Sequence, residues 1–187
     1  SAGLAVTALT AQEGGVEITP PVGDILNEKL LTQESFDKFT AVSVTGNQVW
    51  SFDSKFGTKI SGYVTADKKS YENEDWLISP AMDLSGKTNV SLTFEHARGP
   101  KASIDVGVKE GYYTVWVSNN YSSGNPSTAT WTQITNVAHG TNAWEYVSSG
   151  SLAIPSGNLT TNCRIAFKYM CTNTQSATWE LKNVVVK

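Results

Sequence analysis

Cys163-Arg-Ile-Ala-Phe-Lys-Tyr-Met-Cys171 alternates without a break. Cys163, Ile165, Phe167, Tyr169 and Cys171 share one side, and the positions between them share the other. Successive side chains of an extended chain point to opposite faces, so this period of two marks a strand with one face against a core. The pattern recurs at 89–97, where Val90, Leu92, Phe94 and His96 oppose Ser91, Thr93 and Glu95. It recurs at 112–118, where Tyr113, Val115 and Val117 oppose Tyr112, Thr114, Trp116 and Ser118. Such alternation belongs to antiparallel sheets with one wet face, and two of them laid face to face make a sandwich. A continuous strand also decides the cysteines. Eight residues span about 26 Å at about 3.3 Å each, whereas a disulfide needs Cα atoms within about 7 Å. Two unpaired thiols acting as small buried hydrophobes are expected.

Further strands are predicted at 41–45, 48–53, 60–65, 76–79, 103–108, 131–135, 144–149 and 178–186. Turn chemistry separates them at Thr45-Gly-Asn47, Ser85-Gly86, Arg98-Gly-Pro100, Ser123-Gly-Asn-Pro126 and Ser156-Gly-Asn158. Short strands at this spacing define a sandwich or barrel occupying 32–187. Residues 1–31 read as a tail or inter-domain linker, with room for one added edge strand. Within it, Ile25, Leu26, Leu30 and Leu31 have helix-like spacing, so a brief helical or coil segment is predicted over 25–31. No helix of real length is expected beyond residue 40.

The chain of 187 residues fits one domain and can bury roughly 70% of its unfolded surface without staples. Charged residues make up 17% and aromatic residues 10%. A polar, weakly charged, aromatic-rich composition suits an extracellular β domain. The net charge of −3 and the lack of any lysine/arginine cluster exclude a nucleic-acid partner. No apolar run approaches the ~20 residues of a membrane-spanning helix. The first residue is Ser1, not Met, so a removed leader or lipid attachment in a precursor is compatible with the sequence.

Catalytic signatures are missing: no Gly-x-Ser-x-Gly, His-Glu-x-x-His, phosphate-binding glycine loop or Cys-x-x-Cys occurs. Two histidines, His96 and His139, make a multi-histidine metal site hard to build. His96 reads as a core or rim histidine, and His139 as a loop residue. The acidic run Glu72-Asn-Glu-Asp75 reads as a solvated loop ahead of a strand, with a calcium role or one half of a glycosidase carboxylate pair as alternatives. Glu95, Asp105 and Glu145 are the only guesses for the second carboxylate. The six tryptophans, Trp50, Trp76, Trp116, Trp131, Trp144 and Trp179, lie in or beside predicted strands, where core packing is the default. Trp116 alternates away from Val115 and Val117, so it faces solvent or a second core layer. Tyr121, in the Asn119-Asn-Tyr-Ser loop, is the better surface candidate, since loops on a rigid β scaffold tend to carry binding residues. Tyr121 and Trp116 are therefore the candidate ligand contacts.

Three segments, Glu74-Asp-Trp-Leu-Ile-Ser-Pro-Ala-Met-Asp-Leu-Ser-Gly86, Val115-Trp-Val-Ser-Asn-Asn-Tyr121 leading to Ala129-Thr-Trp-Thr-Gln-Ile134, and Trp179-Glu-Leu-Lys-Asn-Val-Val-Val186, stand in an informative order. Together they resemble the choice-of-anchor J and cleaved-adhesin modules of Bacteroidetes surface and secreted proteins, over about 32–187. The resemblance implies an all-β, jelly-roll-like, two-sheet antiparallel β-sandwich of galactose-binding-like type. It implies a non-catalytic adhesin-type module at the cell surface or secreted, lipid-anchored or free, that binds a glycan or a surface protein of host or partner. The alternatives are an accessory domain orienting a neighbouring catalytic domain, or a carboxylate-pair hydrolase. Related modules often hold a structural calcium where the first strand meets the last. Glu34, Asp37, Glu180 and Asn183 are the metal-ligand candidates this implies, although Lys182 stands where relatives show aspartate.

Overall fold

The computed structural model describes residues 23–100 and 104–187. Strand β1 (Leu26–Glu28) and the one-turn helix α1 (Gln33–Asp37) lead into β2 (Thr40–Thr45), β3 (Ser51–Asp53) and β4 (Gly57–Ile60). The small hairpin β5 (Tyr63–Val64) and β6 (Lys69–Ser70) precedes β7 (Asn73–Ile78) and β8 (Ser91–Gly99). Helix α2 (Ile104–Lys109) is followed by β9 (Tyr113–Ser118), β10 (Thr132–Ile134), β11 (Val147–Ser148), β12 (Leu152–Ala153), β13 (Arg164–Cys171) and β14 (Thr178–Val186). Two antiparallel sheets carry the fold. The larger runs β11-β8-β14-β4-β3, with β1 on β14 and β12 on β8; the smaller runs β10-β9-β13-β7-β2.

The alternating faces predict the core. Leu92, Phe94 and His96 of β8 and Trp179 and Leu181 of β14 face Val115 and Val117 of β9 and Ile165, Phe167 and Tyr169 of β13, all buried. Trp179 lies near the centre, with ring centroids 5.5 Å from Trp50, 5.6 Å from Tyr113 and 6.1 Å from Phe167. Each such side chain contributes roughly 1.5–3 kcal/mol by leaving water. Cys163 and Cys171 are buried and unpaired, as the continuity of β13 requires.

Four sequence expectations change. Residues 26–28 form an added edge strand and not a helical or coil segment, because β14 offers backbone groups that β1 satisfies in register from Leu26↔Val186 to Glu28↔Val184. The sandwich therefore begins before residue 32, while the remainder of the predicted tail, 1–22, lies outside the described residues. Positions 103–108 were expected to be a strand, yet Ile104–Lys109 is helical. That helix seats on Tyr113 through Gly107, where an added Cβ would come within 2.5 Å of the phenol ring. Of 144–149 only Val147–Ser148 pairs, and Trp144 precedes the strand. Finally, the acidic run is not a solvated loop: Asn73 and Asp75 point inward from β7 and are buried.

Candidate functional site

The outer face of the larger sheet carries the site. Trp179 and Leu181 face the core, so Thr178 and Glu180 between and beside them face outward. Register sets Glu180 opposite Lys59 of β4 and Ala97 of β8, and Thr178 opposite Gly99. Above this floor stands Trp144. Its N–H donates to the Arg98 carbonyl at 2.7 Å, and its indole lies directly on Gly99. A Cβ at position 99 would approach the ring to 2.2 Å, so only glycine admits the tryptophan. Trp144 has φ +62° and stays 51% exposed. A bulky residue in that region costs about 1–3 kcal/mol, and strain of this kind concentrates where a side chain must be presented.

Trp144 and Thr178 line two cavities at once. One, of 430 Å³, is completed by Phe56, Lys59 and Glu180. The other, of 630 Å³, reaches Tyr63, Ser70 and Ser176. The order along the groove is therefore Phe56, Trp144, Tyr63, three rings each about half exposed. Lys55 and Lys59 hold their ammonium groups 5.1 and 4.8 Å from the Phe56 ring. Glu180 is buried at the floor; burial pushes its carboxyl up, while Tyr146 beside it and Lys59 pull it down. Tyr146 is itself raised by burial and by Glu180 and remains a neutral phenol. Lys182 rests 4.1 Å from the Tyr146 ring.

Such a groove supplies flat apolar faces for the C–H side of a sugar ring, with hydroxyl, ammonium and carboxylate groups at the edges to orient its hydroxyls. Among the described residues, Glu180 is the only carboxylate lining either cavity. A facing acid pair, which glycoside hydrolysis requires, is not assembled there.

Of the residues singled out from the sequence, Glu180 lines the groove and the others lie elsewhere. Tyr121 was the surface candidate, yet it is 1% exposed, with its hydroxyl donating to the Gly124 carbonyl at 2.9 Å. The loop folds over it, so its ring meets Trp131 and Arg164 instead of solvent. Trp116 belongs to the second core layer: it joins Trp76 and Trp131 on the outer face of the smaller sheet. The metal candidates do not converge. Asp37 accepts from Gln33 and Glu34 stays on α1, whereas Asn183 donates to Glu95 and Glu180 faces the groove. Among the described residues no group of three or more histidine, cysteine or acidic side chains is placed to hold an ion, so these four do not form a cation cage. Lys182, where β14 shifts register, lays its ammonium on the Tyr146 ring instead.

Sequence reasoning missed Trp144, Phe56 and Tyr63. Trp144 was assigned to a strand and hence to the core. The signal against that assignment was its context, since no alternation joins it to Val147 across Glu145 and Tyr146.

No protein-family profile and no curated protein matches the chain. Solved structures do. A cleaved adhesin domain of Lys-gingipain from Porphyromonas gingivalis superposes with a TM-score of 0.55 at 14% identity, covering 87% of this chain and 96% of that one. A second cleaved adhesin domain of the same protein gives 0.53 at 16% identity, covering 88% and 97%. A third gives 0.50 at 12%, covering 87% and 97%. At these identities the shared property is architecture: the chain has the all-β, jelly-roll-like sandwich fold of those adhesin domains.

Proposed function

We propose that this chain is a non-catalytic, adhesin-type module of a surface or secreted protein, and that it captures glycan chains in the groove built around Trp144. One observation carries the reading: a half-exposed tryptophan, held at positive φ on a glycine, divides two open cavities and exposes a flat ring to both. Phe56 and Tyr63 extend the platform on either side. Architecture shared with adhesin domains supports the extracellular setting. Among the described residues the groove has one carboxylate, Glu180, which favours binding over hydrolysis.

A glycan-array screen of the wild-type chain and Trp144→Ala, run with calcium and with a chelator, tests this. Retention of a defined sugar class by wild type, weakened at least about tenfold in the variant, is the expected result. Equal retention by the variant, or no retained glycan in either condition, overturns it.

A further inference from the structure

The end of β8 grips the segment that carries Trp144 at four points. The His96 Nδ1 accepts from Trp179 Nε1 at 3.0 Å, which puts the ring proton on Nε2, and Nε2 donates to the Ala138 carbonyl at 2.8 Å. The Arg98 guanidinium meets His139 Nδ1 through Nη1 and donates through Nη2 to the Gly140 carbonyl at 2.7 Å. The Arg98 carbonyl accepts the Trp144 N–H, and Gly99 receives the indole. A guanidinium has donors only, so His139 must present a lone pair at Nδ1 and be neutral. A proton there would remove the acceptor and set an imidazolium against a buried guanidinium.

The neighbours make that opposition severe. The His96 ring lies 5.3 Å from the His139 ring, tilted at 54° to it, and Arg98 lies 5.3 Å from the ring of Tyr113 on β9. From α2, Asp105 is felt by Arg98 as a favourable charge. Among the described residues no carboxylate pairs with Arg98 or His139. Burial and Arg98 hold His139 down to about 4, and burial holds His96 down to about 3, as a site that requires neutral rings demands.

We infer that Arg98 is the positioning residue of the groove: by gripping neutral His139 and the Gly140 carbonyl it holds residues 138–144 so that the indole lies on Gly99, and proton uptake by His139 releases this grip and the bound glycan. The release of glycan rests on the glycan-capture reading; the latch itself rests only on the contacts.

Amide hydrogen exchange of the whole chain at pH 7 and pH 4.5, corrected for intrinsic rates, tests the latch without any ligand. Protection of the Ala138 and Trp144 amides, which donate to the Ser149 and Arg98 carbonyls, is expected to fall at least about tenfold in acid while β13 and β14 stay protected. His139→Asn, which keeps a carbonyl acceptor and cannot titrate in this range, is expected to flatten that response. Arg98→Met should leave the segment open at both pH values, and Arg98→Lys should restore part of the protection. Unchanged protection in wild type, or equal acid sensitivity in His139→Asn, overturns the inference. If Arg98→Met unfolds, the comparison of wild type with His139→Asn decides alone. The same proteins on the glycan array separate the two readings. A segment that opens in acid while retention ignores both pH and Trp144→Ala leaves the latch standing and removes the glycan site.

Discussion

The two outer faces of the sandwich both carry tryptophan, and they use it in opposite ways. On the smaller sheet Trp76, Trp116 and Trp131 close over one another, with centroids 6.4 Å and 5.0 Å from Trp76. Each indole N–H is spent within the cluster: on Glu74 at 3.0 Å, on Thr114 at 2.8 Å and on the Pro126 carbonyl at 2.9 Å. Lys168 caps the group, 5.3 Å from Trp76 and 5.6 Å from Trp116, and bridges to Glu74 at 3.7 Å. On the larger sheet Trp144 stands alone above a glycine, strained and half exposed between two cavities. A tryptophan whose N–H and ring faces are all engaged stabilises the sheet it covers. One held open at a cost in backbone strain is available to a ligand.

The sharpest way to break this contrast is to delete the central ring of the closed face. Trp76→Ala should cost about 3–5 kcal/mol, read as a large drop in melting temperature. A small loss would mean that the cluster is only loosely packed.

The strand that carries Trp76 outward points Asp75 inward, and here the next effect lies. Both Asp75 carboxylate oxygens are buried without a hydrogen bond, and the neighbouring Ser43 hydroxyl is engaged by the Thr45 and Gly46 carbonyls. Burial raises the group to about 7, with the Glu74 charge adding and Ser43 opposing. The folded pKa exceeds the unfolded one, so this group favours folding most below about pH 4, and that contribution is lost as pH rises through about 7. Asp75→Asn should therefore stabilise the protein at pH 8, by on the order of 2–4 kcal/mol, and much less at pH 4. Denaturant titrations at the two pH values check this, and equal effects at both would exclude a buried, titrating Asp75.

Smaller in stability but decisive for the contrast is Trp144→Ala. Its unfolding free energy should stay within about 0.5 kcal/mol of wild type, since an exposed ring gives up little burial and alanine keeps the same positive-φ backbone. A loss comparable to that of Trp76→Ala would reassign Trp144 to the scaffold. Lys168→Met should cost no more, about 0.5 kcal/mol, because the cation over the rings is partly solvated. A melting curve shifted by several kcal/mol would show that the lysine, not the ring contacts, closes that face.

Much of the scaffold was legible before folding. Val90, Leu92, Phe94 and His96 point inward as their spacing says, and so do Tyr113, Val115 and Val117. The alternation at Ile104, Val106 and Val108 misled: α2 seats Gly107 against Tyr113 while Val106 and Val108 stay exposed, so long-range packing overruled the local period. The site was less legible. Tyr121 was favoured because it lies in a loop, but that loop closes on Trp131, a contact the spacing does not encode.

By itself the sequence determined the all-β class, the inward faces of β8, β9, β13 and β14, and the unpaired cysteines. These follow from the two-residue period of an extended chain, which is a local property. Tertiary structure alone decided which tryptophans are closed and which is open. Phe56, Tyr63, Trp144 and Thr178 come from four separate segments, and they meet only because β4 pairs with β14 and β14 with β8. Periodicity tells which side of a strand a residue takes, but strand neighbours are chosen by the packing of the whole core.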